Sequence, residues 1–290
     1  MLGSTKLVED VTVNLLRIAV TSLPDDVLGA LRDAEREETS EVGRTQLRTI
    51  LENVAAADRL SVPICQDTGM LTFFISGRCL PDLEEGIRRG MSRATSEVPL
   101  RANAVHPITR KNPGNNSGKG VPTIHYDYSD SDFTQVTVMP KGAGSENMSV
   151  LAMLTPSQGL KGIKRLVLDT VIKAGGKPCP PTIVGVGIGG SADQAMLLAK
   201  QALLRPLNIG NPDQQLAALE SELKQALNLT GIGPMGLGGK TTVLGVRVEE
   251  AYTHTASLPV AVCLQCWAAR RASARIARDG SVQYSREGFW

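Results

Sequence analysis

The chain has 290 residues and a formal net charge of +2 at pH 7; it is 42% hydrophobic but only 3% aromatic, with 29 glycines and 16 prolines. That length buries a sizeable core, filled here by Ala, Val, Ile, Leu and Met rather than by rings. The balanced charge excludes a general nucleic-acid binder but leaves room for a small anion held by local charge.

The first residues carry charges through their apolar pattern and show no small-residue cleavage site, so no secretory signal is predicted. No apolar run approaches the ~20 residues of a membrane helix, and a soluble cytoplasmic protein is expected. Leu7, Val11, Leu15, Ile18 and Ala19 recur at helical spacing. A second helix is predicted from Pro24-Asp25-Asp26 with Ser22 as its cap, and a third over 39–53, leading into a strand before Cys65. Residues 82–97 read as a helix, 101–120 as a loop, 121–128 and 134–139 as strands, and 156–174 as a helix. A strand over 182–190 is followed by a helix from Ser191 whose S-x-x-Q start resembles a capping box. A helix over 213–228, a strand over 241–248 and an apolar segment around 258–264 complete the pass. The fold class is mixed α and β (α+β), a single domain over 1–290 with its helical N-terminal third packed on a β-sheet with surrounding helices.

Two glycine-rich stretches resemble nucleotide sites. Gly185, Gly187 and Gly190 match G-x-G-x-x-G between a strand and a helix, but no acidic residue closes a second strand about 20 residues on. Glycines that allow tight strand–helix packing, or a small-anion nest at the helix start, explain them better. In GPMGLGGKTT, 233–242, the position of the first Walker A glycine is Pro234, and a strand follows rather than a helix. The backbone N–H groups of this loop and Lys240 remain candidates for an anion site.

The five cysteines stand at 65, 79, 179, 263 and 266. An odd number in a long chain argues against a disulfide framework. Cys263 and Cys266 have C-x-x-C spacing, but no second pair completes a zinc site. Cys65 (PICQDTG), Cys179 (GKPCPPT) and Cys266 (LQCWAARR) lie in polar or proline-rich settings, far apart in sequence. Three such thiolates can hold three irons of a [4Fe–4S] cluster and leave the fourth open; three ordinary buried thiols fit the spacing equally.

CQDTG at 65–69, KGAGSEN at 141–147, CPPT at 179–182 and HTASLPV…C at 254–266, with the closing SREGFW, resemble the class I iron–sulfur fumarate hydratases. The match covers nearly the whole chain and looks like the alpha subunit, or N-terminal domain, of the two-subunit form. L(+)-tartrate dehydratase is a close relative, and KGAGSENMS and HTASLPV look more like the fumarase pattern. The resemblance implies a [4Fe–4S] cluster on Cys65, Cys179 and Cys266, with one iron lacking a cysteine ligand. It implies that Asp67 and His254 move protons and that Gln66, Arg101 and the Gly144 N–H bind the substrate. It also implies a homodimer of this subunit and a separate beta subunit carrying the C-terminal catalytic domain. Ala143 departs from the family's glycine, and the extra Cys263 is expected not to be a ligand. The implied activity is reversible hydration of fumarate to malate, with dehydration of L(+)-tartrate or another diacid as the alternative. From other classes, a non-catalytic iron–sulfur regulatory protein and a nucleotide-binding enzyme remain to be separated by cofactor content. On residue type alone, Arg101 reads as a surface ion pair, and Arg270, Arg271, Arg275 and Arg278 read as the solvated face of a helix, with a subunit contact as the sharper option.

Overall fold

The apolar periodicity of the first residues is realised. Val8, Val11, Leu15, Leu16 and Ala19 are all buried, on one stripe of a helix. The computed structural model describes residues 2–289. Trp290, the last residue of the SREGFW motif, lies outside them. In chain order the elements are α1 (Leu2–Thr21), α2 (Asp25–Glu37), α3 (Glu41–Leu60), β1 (Met70–Gly77), α4 (Leu83–Glu97), β2 (Thr123–Tyr128), β3 (Phe133–Lys141), α5 (Ala143–Glu146) and β4 (Val150–Leu154). They continue with α6 (Gly159–Ala174), β5 (Thr182–Gly189), α7 (Ala192–Ala202), α8 (Gln214–Asn228), β6 (Val243–Ala251), β7 (Leu258–Gln265), β8 (Ala272–Ala277) and β9 (Val282–Ser285). The chain is thus mixed α and β, as expected. No helix among the described residues is long and apolar enough to cross a membrane.

The chain divides into two compact units, each assembled from separated segments. The first takes the chain up to Asp25, Asn53–Gly142 and the chain from Arg270. Its sheet has the order β2-β1-β3-β8-β9, with β1 and β2 parallel and the remaining pairs antiparallel. α1 and α4 bury their apolar stripes with Phe73, Ile75, Val136, Val138, Ala272, Ala274 and Ile276 of that sheet. The two helices approach closely because α4 turns Gly86 and Gly90 to α1. A Cβ at these positions would lie 2.6 Å from Val8 Cβ and 2.5 Å from Thr12 Cβ.

The second unit takes Asp26–Glu52 and Ala143–Ala269. Its sheet has the order β4-β7-β5-β6, with only the β5–β6 pair parallel. Val184, Val186 and Ile188 of β5 pack with α6 and α8 through Val167, Val171, Leu219 and Leu223. The alternate residues, Gly185 and Gly187, face α7. A Cβ there would fall 2.1 Å from Ala199 O and 2.0 Å from Ala195 O. The G-x-G-x-x-G pattern therefore serves close strand–helix packing.

Four local expectations are corrected. No strand precedes Cys65. α3 runs on to Leu60, Ser61 takes a φ of 52°, and Ile64 makes a single backbone bond to Val20 O at 2.9 Å instead of a ladder. Ser22 does not cap α2 but donates its hydroxyl back to Ile18 O at 2.7 Å, closing α1. Ser191 forms no capping box, because its hydroxyl bonds Asp193 Oδ1 at 2.5 Å. The arginine-rich run is not a solvated helix. Ala272, Ala274 and Ile276 point inward with period two and form β8, and Arg270 and Arg271 are buried. Arg275 lies between the rings of Phe133 and Phe289, 4.3 and 4.4 Å from their centroids.

Candidate active site

The CQDTG loop enters β1 in the first unit. Gly69 has a φ of +85°, and a Cβ on it would lie 2.6 Å from the Lys141 backbone nitrogen. Only glycine lets the loop turn against the end of β3 at this point. Asp67 folds back so that its Oδ1 accepts the Gly69 N–H at 2.9 Å. Gly142 leaves the Asp67 carboxylate room, since a Cβ there would sit 3.1 Å from its Oδ2. Cys65 is partly buried, and its thiol donates to Gln66 Oε1 at 3.5 Å. Gln66 is exposed and Thr68 is buried.

Arg101 is brought to this loop from both ends. Its backbone N–H donates to Thr68 Oγ at 3.1 Å, and its Nη1 donates to the Gln66 carbonyl at 3.3 Å. The side chain is exposed, and among the described residues it makes no ion pair. The surface ion pair suggested by residue type is therefore absent, and the guanidinium keeps donors for an external anion. Two residues that sequence reasoning missed hold this arrangement. Asn103 Nδ2 donates to Thr68 Oγ at 3.0 Å. Asn116 is buried with a φ of 58°; it accepts from Asn103 N at 2.7 Å and donates to the Arg101 carbonyl at 2.9 Å. The sequence marks 101–120 only as a loop; the polar run Asn115–Gly118 reads as a turn whose polarity near Arg101 also fits the lip of a pocket, and it was the signal available.

The other predicted residues lie in the second unit. Cys179 is partly buried and held at a φ of 54°, a left-handed conformation that is strained for a residue with a side chain. Its carbonyl accepts the Trp267 N–H at 3.2 Å, which sets Cys179 beside the Cys266–Trp267 segment at the end of β7. Gly144 lies in the first turn of α5, where a backbone N–H has no intrahelical acceptor. Its Cα faces Lys177, whose carbonyl would be 3.2 Å from a Cβ. Gly144, Cys179 and Cys266 are thus brought to one region of this unit. His254 is exposed and bonds only within its own turn. Its Nδ1 accepts the Ala256 N–H at 3.1 Å, so the neutral ring carries its proton on Nε2. Cys263 is fully buried and meets Met196 Sδ at 3.4 Å. Among the described residues, no group of three or more His, Cys, Asp or Glu side chains is gathered so as to hold a metal ion.

The glycine-rich loop near Lys240 does bind an anion, and the anion is the chain's own. Buried Glu38 accepts the backbone N–H groups of Thr39 and Ser40 at 2.9 Å and of Lys240 at 2.8 Å, with Thr241 at 3.4 Å. Gly239 makes room, as a Cβ there would be 2.8 Å from Glu38 Oε2. Burial alone would raise the Glu38 carboxyl, but the N–H groups of Ser40, Lys240, Thr241 and Thr39 outweigh it and hold the group below its ordinary value. A depressed folded-state value stabilises above the unfolded carboxyl range, and this stability is lost as pH falls through the folded value. Glu38→Gln is therefore expected to cost about 2–3 kcal/mol at neutral pH. Urea unfolding should show the gap narrowing below about pH 4; a gap independent of pH would contradict the assignment.

Comparison with known proteins agrees with the motifs. Residues 9–275 match the family model for fumarate hydratase (Fumerase). The chain is 48% identical over 284 residues to the putative L(+)-tartrate dehydratase subunit alpha of Methanocaldococcus jannaschii, covering 95% of this chain and 99% of that relative. It is 36% identical over 275 residues to the L(+)-tartrate dehydratase subunit alpha of Escherichia coli strain K12, covering 93% of this chain and 91% of that one. With a family model over most of its length and relatives this similar end to end, the chain belongs to the fumarate hydratase family of hydro-lyases.

Proposed function

We propose that this chain is the alpha subunit of a dicarboxylate hydro-lyase, adding water reversibly to fumarate to give malate, and that a beta subunit completes its site. The observation that carries the reading is Arg101. It is an exposed guanidinium with no acid partner among the described residues, fixed by Thr68 and Gln66 beside a cysteine, an amide and a carboxylate. A planar fork of donors suits a substrate carboxylate. The names of the relatives, tartrate dehydratase alpha subunits, support the beta partner and keep L(+)-tartrate as the second substrate reading.

The donor set is consistent with a [4Fe–4S] cluster. Cys65, Cys179 and Cys266 are each only partly buried, whereas Cys263 is enclosed. A cluster takes each thiolate on a different iron, so its cysteines need not crowd together as the ligands of one ion do. When bound, the cluster supplies a Lewis-acidic iron that lowers the cost of expelling hydroxide at neutral pH. The protein's own residues do the rest. Arg101 and the Gly144 N–H orient the diacid, and Gln66 offers a neutral amide to it. His254, protonated on Nε2, donates to the departing hydroxyl, and Asp67 relays protons. The C3 proton leaves to a base that we assign to the beta subunit.

The test is co-production with the beta subunit, anaerobic reconstitution, and separate assays of fumarate hydration and L(+)-tartrate dehydration. About four irons per chain, lost in Cys65→Ser, Cys179→Ser and Cys266→Ser but kept in Cys263→Ser, is expected, with turnover of fumarate above tartrate. Turnover of tartrate alone would replace the substrate, and a reconstituted pair that dehydrates neither would sink the proposal.

A further inference from the structure

Arg270 lies two residues before β8 in the first unit, at the end of the sheet where β1 begins and β3 finishes. The CQDTG loop enters at that same end. Arg270 is only 1% exposed and is among the largest fully buried side chains. Its Nη2 donates to the Asp67 carbonyl at 2.8 Å. Among the described residues, its Nε and Nη1 are buried with no hydrogen-bond partner, and it makes no ion pair. Arg205 and Arg247, also buried, differ: both meet the carboxylate of Glu220. A buried guanidinium without a counter-charge is costly to keep, because guanidinium does not shed its proton.

We propose that Arg270 is a positioning residue whose counter-charge is the anionic group bound at Cys65. It fixes the Asp67 carbonyl, and so the loop that carries Cys65 and Gln66. Its charge supplies a positive potential under that loop, which favours a net-negative group bound there. This rests on the cofactor reading given above. The second shell of a metal site tunes it through such contacts.

The experiment compares the full chain before and after anaerobic reconstitution, as wild type, Arg270→Met and Arg270→Lys. Thermal midpoints and iron release to a chelator are the readouts. In the cluster-free chain, Arg270→Met should leave the midpoint unchanged or raise it, because an unpaired buried charge is removed. In the reconstituted chain it should lower the midpoint by about 4–10 °C and weaken iron retention about 10–100-fold. Arg270→Lys, which keeps the charge, should retain iron better than Arg270→Met. An equal fall of the midpoint in both states, or an Arg270→Met chain that does not fold, would assign Arg270 a purely structural role and overturn the inference. So would an Arg270→Lys chain that loses iron as fully as Arg270→Met. A wild type that loads iron while both variants match it defeats the Arg270 inference alone. A wild type that holds no iron defeats the cofactor reading and the inference with it.

Discussion

Arg101→Met is expected to lower kcat/KM for the diacid by about a hundred- to a thousandfold, the scale of truncating one partner of a desolvated charge pair. The loss should divide between KM and kcat, because a diacid held by one end less swings out of register with the proton donors. Arg101→Lys should fall between, since an ammonium keeps the charge but not the two-pronged fit to a carboxylate. Stability provides the control. The Arg101 side chain is exposed, makes no ion pair among the described residues, and gives one bond to the Gln66 carbonyl. The thermal midpoint should therefore move little. The firm ties of this segment are made by backbone atoms and by Asn103 and Asn116, which the substitution leaves alone. A variant with wild-type kcat/KM would remove Arg101 from the substrate's contacts. A variant that unfolds would mean that the arginine holds the loop rather than the ligand.

The sequence made the helices legible because their apolar residues repeat at 3.6: Val11, Leu15 and Ala19 of the predicted α1 stripe are buried, with Leu7 and Ile18 half-buried at its edge. A strand is expected before Cys65 because LSVPI, residues 60–64, reads as an extended apolar run, yet Leu60 ends α3, Ser61 is left-handed and Pro63 lacks an N–H. β8 was missed for a different reason. Its inward residues are mostly alanines, which carry little hydrophobic contrast, and the arginines between them suggested a solvated face. Its period of two was present but faint. In the site, the cysteine, glutamine and aspartate of CQDTG stand next to each other in sequence, so a motif could reveal them. Asn103, Asn116 and Arg270 act through partners distant in the chain, and no periodicity marks a loop. The same holds for Glu38 and the backbone of Lys240: the donors were visible as a glycine-rich loop, but their acid lies at the other end of the sequence.

The largest stability effect is expected at Gly187. In β5, successive glycines face α7, and Gly187 is the tighter, with Ala195 O at 2.0 Å and Ala199 N at 2.6 Å from an added Cβ. Both neighbours are backbone atoms of one helix, so no side-chain rotation relieves the contact. The helix must lift as a body, and Ala195 and Ala199, both fully buried, lose their packing with it. Gly187→Ala is therefore expected to cost at least about 3 kcal/mol, above the usual range for a single methyl because the obstacle is rigid. Gly29→Ala, in α2, is the matched control. Nothing lies within 4 Å of its added Cβ, so it should stabilise by about 0.5–1 kcal/mol through the ordinary preference of alanine over glycine in a helix. The consequence reaches the site, because α7 also covers β7 through Met196 and Cys263, and β7 delivers Cys266. Denaturant unfolding of the two variants beside the wild type decides the matter. A Gly187→Ala chain as stable as wild type would show that α7 is free to move away from β5. The reading of the glycine pattern as a packing device would then fail.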